Sequence, residues 1–150
     1  GAKQCSGSIQ QTCGNYDADV CWEWGNNINC PSGCSNNICN KPDLTITSIA
    51  IQYPSIPKAN QDITMSFIIK NIGNAPASNI FWKMDTGSAD ADPANAVGLS
   101  IGISQSVGIS TKIKYASTGT YTAKAIADYQ NKIVELNENN NERAKIIIVS

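Results

Sequence analysis

Histidine is absent from this chain, cysteine is absent after Cys39, and charged residues make up only 15% of it. Each shortage closes a class of function. Without histidine no Ser-His-Asp triad can form, and the commonest general base and metal ligand are missing together. Lys and Arg total 11 against 12 acids, a net charge of −1 with no basic run. Nothing there attracts a polyanion, so no nucleic acid partner is expected. No apolar run approaches the roughly 18 residues that crossing a bilayer takes, so no membrane span is expected. No Cys-x-x-Cys occurs, which argues against a redox centre, and no Asn-x-Ser/Thr sequon occurs either. Paired carboxylates can hydrolyse a glycoside, but these acids sit mostly in turns, with none at an inward position of a predicted strand. The expectation is a protein that is not an enzyme and requires no cofactor.

What is present divides the 150 residues in two. The six cysteines, Cys5, Cys13, Cys21, Cys30, Cys34 and Cys39, all fall in the first segment, with few aliphatics between them. An even, tightly clustered set reads as a disulfide framework formed in an oxidising compartment. Zinc would need ligand-spaced pairs, and Cys30-x3-Cys34 with Cys39 only approximates that pattern. Three disulfides are therefore expected, and the sequence does not choose their pairing. No signal peptide is visible at Gly1, so the reading is a secreted chain, extracellular or at the cell surface, with its signal peptide removed. Pro42 discourages helix before it, which places the domain boundary there: a disulfide-stapled module over 1–41 and a second domain over 42–150.

The second domain alternates with a period of two. Leu44 to Ile51 opens it, with a register change near Ser48, before Pro54-Ser55-Ile56-Pro57 breaks the run. Ile63, Met65, Phe67 and Ile69 form one apolar face, and Ile80, Trp82 and Met84 another. Gly87 to Asn95 reads as a surface loop. Val107, Ile109, Thr111, Ile113 and Tyr115 alternate next, then Tyr121, Ala123, Ala125, Ala127 and Tyr129, and the run Ile146 to Val149 closes the chain. About seven strands spaced by turn signals, without helical periodicity, predict an all-β, immunoglobulin-like β-sandwich. Tyr121 stands where a tyrosine corner belongs.

Three stretches of this region, Pro42-Asp43-Leu44, Lys70-Asn71-Ile72-Gly73-Asn74-Ala75 and Gly119-Thr120-Tyr121, resemble the CARDB domain, the cell-adhesion-related domain of bacteria and archaea. The closing run from Asp128 to Glu142, with its Glu135, Asn137-Glu138 and Asn139-Asn140, is the most distinctive part of that likeness. The resemblance spans Pro42 to Ser150, with Gly87 to Leu99 less regular than the family's pattern. It implies an immunoglobulin-like sandwich used as a surface module, without an activity. Gln11-x-Cys13, the run from Tyr16-Asp17 through Asp19 and Cys21 to Glu23-Trp24, and Cys34 to Cys39 resemble cysteine-rich repeats of archaeal surface proteins.

Asp128, Asn131, Glu135, Asn137, Glu138 and Asn140 offer the hard oxygens that calcium prefers, six to eight at a site. The same residues also fit an Asn-rich connection whose side chains bond its own backbone. Asp17, Asp19 and Glu23 present the same pair of readings on a smaller scale. Trp22 and Trp24 flank Glu23 in a segment too small to bury both. They suit stacking on a carbohydrate, anchoring an interface, or covering the disulfides. Ile146 and Ile148 are candidate docking residues on an edge strand. The function expected is a secreted structural or adhesion protein, self-associating into an extracellular filament or surface assembly. The alternative is a monomeric carbohydrate- or ligand-binding module.

Overall fold

In a computed structural model of the chain, the described residues are 1–17, 23–88 and 92–150. They form two compact units, Gly1–Lys41 and Pro42–Ser150.

In the first unit, polar strands β1 (Lys3–Ser6), β2 (Ile9–Gly14) and β3 (Glu23–Asn29) make an antiparallel sheet in the order β1-β2-β3. A short hairpin, β4 (Cys34–Ser35) and β5 (Ile38–Cys39), completes it. Two disulfides tie the pieces, Cys5–Cys34 and Cys30–Cys39, with Cα separations of 5.6 and 5.0 Å. Gln10 is buried and donates its amide to the Asn37 carbonyl at 2.6 Å. Of the remaining cysteines, Cys13 carries no disulfide, and Cys21 lies outside the described residues, as do Asp19 and Trp22. The third bridge is therefore not among those seen.

The second unit is the immunoglobulin-like sandwich. Its strands are β6 (Leu44–Tyr53), β7 (Ile63–Asn71), β8 (Ala77–Ile80), β9 (Lys83–Asp85), β10 (Leu99–Ile101), β11 (Ser106–Ile113), β12 (Gly119–Ile126) and β13 (Glu142–Val149). One sheet runs β11-β7-β6 and the other β13-β12-β9, with β8 and β10 paired separately. Alternation puts Ile63, Met65, Phe67 and Ile69 of β7 wholly inside, opposite Met84, Ala123, Ala125, Ile147 and Val149. Phe67 meets Trp82 edge-on, with ring centroids 5.3 Å apart. The β6–β7 register shifts between Ile46 and Ser48, where the sequence changes phase. The tyrosine corner is present: Tyr121 donates its hydroxyl to the Ser117 carbonyl at 2.9 Å and stacks on buried Tyr115.

The strand expected around Ile80 to Met84 is two strands. Between them, the Asn95 side chain accepts the Trp82 N–H at 2.6 Å and donates to the Ile80 carbonyl at 3.1 Å. Those bonds divert the backbone, so β8 pairs with β10 while β9 joins β12 in the other sheet.

Candidate functional site

The connection between β12 and β13 is an acid- and amide-rich segment that must turn tightly. Asp128 and Asn131 take positive φ, 44° and 51°, a conformation that short polar side chains tolerate best. Buried Asp128 stabilises its own turn: its carboxylate accepts the Lys132 N–H at 3.2 Å and the Ile133 N–H at 2.8 Å. Asn137 accepts the Asn139 N–H at 3.1 Å, and Glu138 accepts the Glu135 N–H at 2.8 Å.

Glu135 and Asn140 reach across the chain instead. Glu135 is 4% exposed, and one carboxylate oxygen accepts the backbone N–H of Leu44 while the other accepts the Asn141 amide at 2.7 Å. Asn140 donates to Asp43 at 2.8 Å, and the Leu136 N–H bonds the Pro42 carbonyl at 2.9 Å. The connection is thereby stitched to the start of β6. Burial pushes the Glu135 carboxyl up to about 7; its hydrogen bonds from Leu44 and Asn141 oppose that rise, and Glu138 and Asp128 add to it.

A pocket of about 370 Å³ opens at this connection, with Asp128, Asn131, Glu138, Asn141 and Glu142 in its lining. Asp128, Asn131 and Glu138 of the calcium candidates thus share one pocket. Glu135 points to Leu44, Asn137 caps its own turn, and Asn140 reaches Asp43. Among the described residues, no three His, Cys, Asp or Glu side chains are grouped to hold a metal. Two buried amide oxygens, Asn140 Oδ1 and Asn141 Oδ1, have no hydrogen-bond partner. Buried polar atoms are nearly always paired, so these two are the unspent oxygens of the connection.

The other singled-out residues lie elsewhere. Trp24, on β3, is 43% exposed and sits across from Cys13. On β13, Ile147 and Val149 are buried while Ile146 and Ile148 project outward, 62% and 69% exposed. Sequence reasoning missed Asn71. This fully buried side chain donates to the carbonyls of Ala75 and Ile101, at 2.8 and 3.2 Å, and accepts the N–H groups of Asp43 and Gly73, at 3.2 and 3.0 Å. The signal was present: Asn71 continues the inward phase of Ile63 to Ile69 and must therefore be a buried polar group needing partners.

Among curated proteins none matches this chain. Solved structures do. The CARDB domain of a Pyrococcus furiosus protein, determined in complex with di-metal ions, is 23% identical over 73% of this chain and 90% of that one, with a TM-score of 0.60. The solution structure of the CARDB domain from Pyrococcus furiosus is 25% identical over 73% of this chain and 95% of that one, also with a TM-score of 0.60. A domain of a "putative cell surface protein" from Methanosarcina acetivorans is 22% identical over 73% of this chain and 93% of that one, with a TM-score of 0.57. The CARDB family model matches residues 41–145, so the chain belongs to the CARDB family.

Proposed function

We propose that this chain is a non-enzymatic structural and adhesive subunit at the cell surface, one that assembles with further copies of itself through the outward face of β13. The disulfides Cys5–Cys34 and Cys30–Cys39 support an oxidising, extracellular setting. Family membership and the Methanosarcina relative support the cell-surface location.

The observation that carries assembly is the pair Ile146 and Ile148, largely in water on an edge strand. Burying such a side chain is worth about 1.5–3 kcal/mol, which a second copy would recover. Ser150 exchanges backbone bonds with Pro57 and Ala59, so the end of β13 lies beside the segment carrying exposed Tyr53 and Ile56. Exposed apolar side chains on an edge strand suit a protein contact. A net charge of −1 raises little repulsion between copies. A contact that does not close on itself repeats into a filament.

Calcium at the β12–β13 connection is the finer part of this reading. The unspent oxygens of Asn140 and Asn141 favour it, as does the di-metal relative. Asn141, with Asp128, Asn131 and Glu138 in the same pocket lining, would hold the ion, which would cross-link the connection by neutralising its crowded acids. Light scattering on the natively oxidised chain, with and without a chelator, tests both parts. The expected result is concentration-dependent particles far above 16.0 kDa that shrink on chelation. A 16.0 kDa species at every concentration would overturn assembly, and particles indifferent to chelation would remove calcium from the contact. One observation, the exposed Trp24, favours a second reading in which the first unit recognises a ligand.

A further inference from the structure

The sheet of the first unit has two unlike faces. Gln10 of β2 and Cys5 of β1 are paired in register, and they engage the β4–β5 hairpin through the Asn37 carbonyl and the bond to Cys34. Register puts Gln4, Gln11, Cys13 and Trp24 on the opposite face. There the side chains form an amide ladder across all three strands. Gln4 donates to Gln11 at 2.9 Å, and Gln11 donates to Asn27 at 3.0 Å. Asn27 reaches Gln11 because the β2–β3 register shifts between Gln10 and Thr12, beside Asn26 with its φ of 48°. Trp24 pairs with Cys13 one step along the strand from this ladder, and it is 43% exposed. Among the described residues, no charged side chain falls on this face.

We propose that this face is a binding platform for a neutral polysaccharide. The two ladder bonds leave each amide with further donors and acceptors; among the described residues, Asn27 keeps both amide hydrogens and Gln4 its whole carbonyl oxygen. Sugar hydroxyls are donors and acceptors of the same kind. The indole face carries the negative side of the π quadrupole, which suits the slightly positive C–H edges of a pyranose ring. The ladder amides hold one another in place, so less rotamer entropy is lost on binding. A face with no charged side chain among the described residues matches a neutral glycan better than an anionic one. The assignment rests on the ligand-recognition reading of Trp24 and is independent of assembly through β13.

Affinity electrophoresis of the natively oxidised chain, through gels cast with mannan, a neutral β-glucan or anionic alginate, tests it. Retardation by a neutral polysaccharide is expected. It should weaken about tenfold in Trp24→Ala and severalfold in Gln11→Ala, and survive in Trp24→Tyr. Peptide mapping of the Cys5–Cys34 bridge shows that each variant retains its fold. The proposal is overturned if no neutral polysaccharide retards the chain, if only alginate does, or if Trp24→Ala and Gln11→Ala behave as wild type. It is also overturned if light scattering shows that Trp24→Ala abolishes self-association and leaves retardation intact, since the face is then a contact between copies. Loss of retardation with assembly preserved supports it.

Discussion

The two units of this chain hold themselves together by opposite means. Among the described residues of the first unit, only Cys30 and Gln10 are buried, and covalent bridges substitute for the missing core. The second has no cysteine and relies on one apolar core, running from Leu44 and Ile46 through Phe67 and Trp82 to Ile147 and Val149. A segment of about 40 residues cannot bury enough surface to fold by that route alone, whereas the second unit is long enough to do so. The difference also decides where each unit can expose function. A stapled sheet can leave a whole face polar and open, while a sandwich must fill its inner faces and can spare only outward positions such as Ile146 and Ile148.

The largest break in this comparison comes from the bridges. Cys5→Ser with Cys34→Ser opens a 29-residue separation whose closure is worth about 3–4 kcal/mol. The first unit should then lose its hydrogen-exchange protection while the second keeps its own; loss of protection in both would contradict the division. The mirror-image change is Phe67→Ala, which removes a ring that is 1% exposed and packed on Trp82. It should cost the second unit about 3–5 kcal/mol in guanidinium unfolding and leave the disulfide-linked peptides of the first unit protected.

A smaller effect sharpens the picture at Glu135. Its carboxyl is protonated in the fold up to about pH 7, against an ordinary value of 4.5. Between those two values the native state holds a proton that the unfolded chain releases. The contribution of Glu135 is therefore fully present below about pH 4.5, falls as pH rises to about 7, and levels off above. The fall amounts to at most about 3–4 kcal/mol, at about 1.4 kcal/mol per pH unit. Glu135→Gln in chelator should flatten the curve of unfolding midpoint against pH across this window. An unchanged slope would show that the side chain is ionised in the fold.

Much of the sandwich was legible because burial follows alternation. Ile63 to Ile69 point inward as their phase requires, the bulge falls at the phase change before Ser48, and Tyr121 makes its corner bond to Ser117. The first unit was legible only in its cysteines. Its strands carry amides instead of alternating aliphatics, so no period marks them, and pairing Cys5 with Cys34 depends on how the strands fold over. At the β12–β13 connection the composition was readable but the partners were not. Glu135 finds the Leu44 N–H across 91 residues, a contact that no local pattern encodes. Asn137 and Asp128 serve their own backbone, as the Asn-rich turn reading expects. The split of one expected strand into β8 and β9 depends on the side chain of Asn95, distant in sequence from both.

Sedimentation velocity of the natively oxidised chain beside the double variant Ile146→Lys with Ile148→Lys tests the central claim most directly. Both positions face solvent, so the fold tolerates lysine there. Concentration-dependent assembly of the wild type, with the variant remaining at 16.0 kDa, is the predicted result. A variant that assembles as readily as the wild type would contradict it.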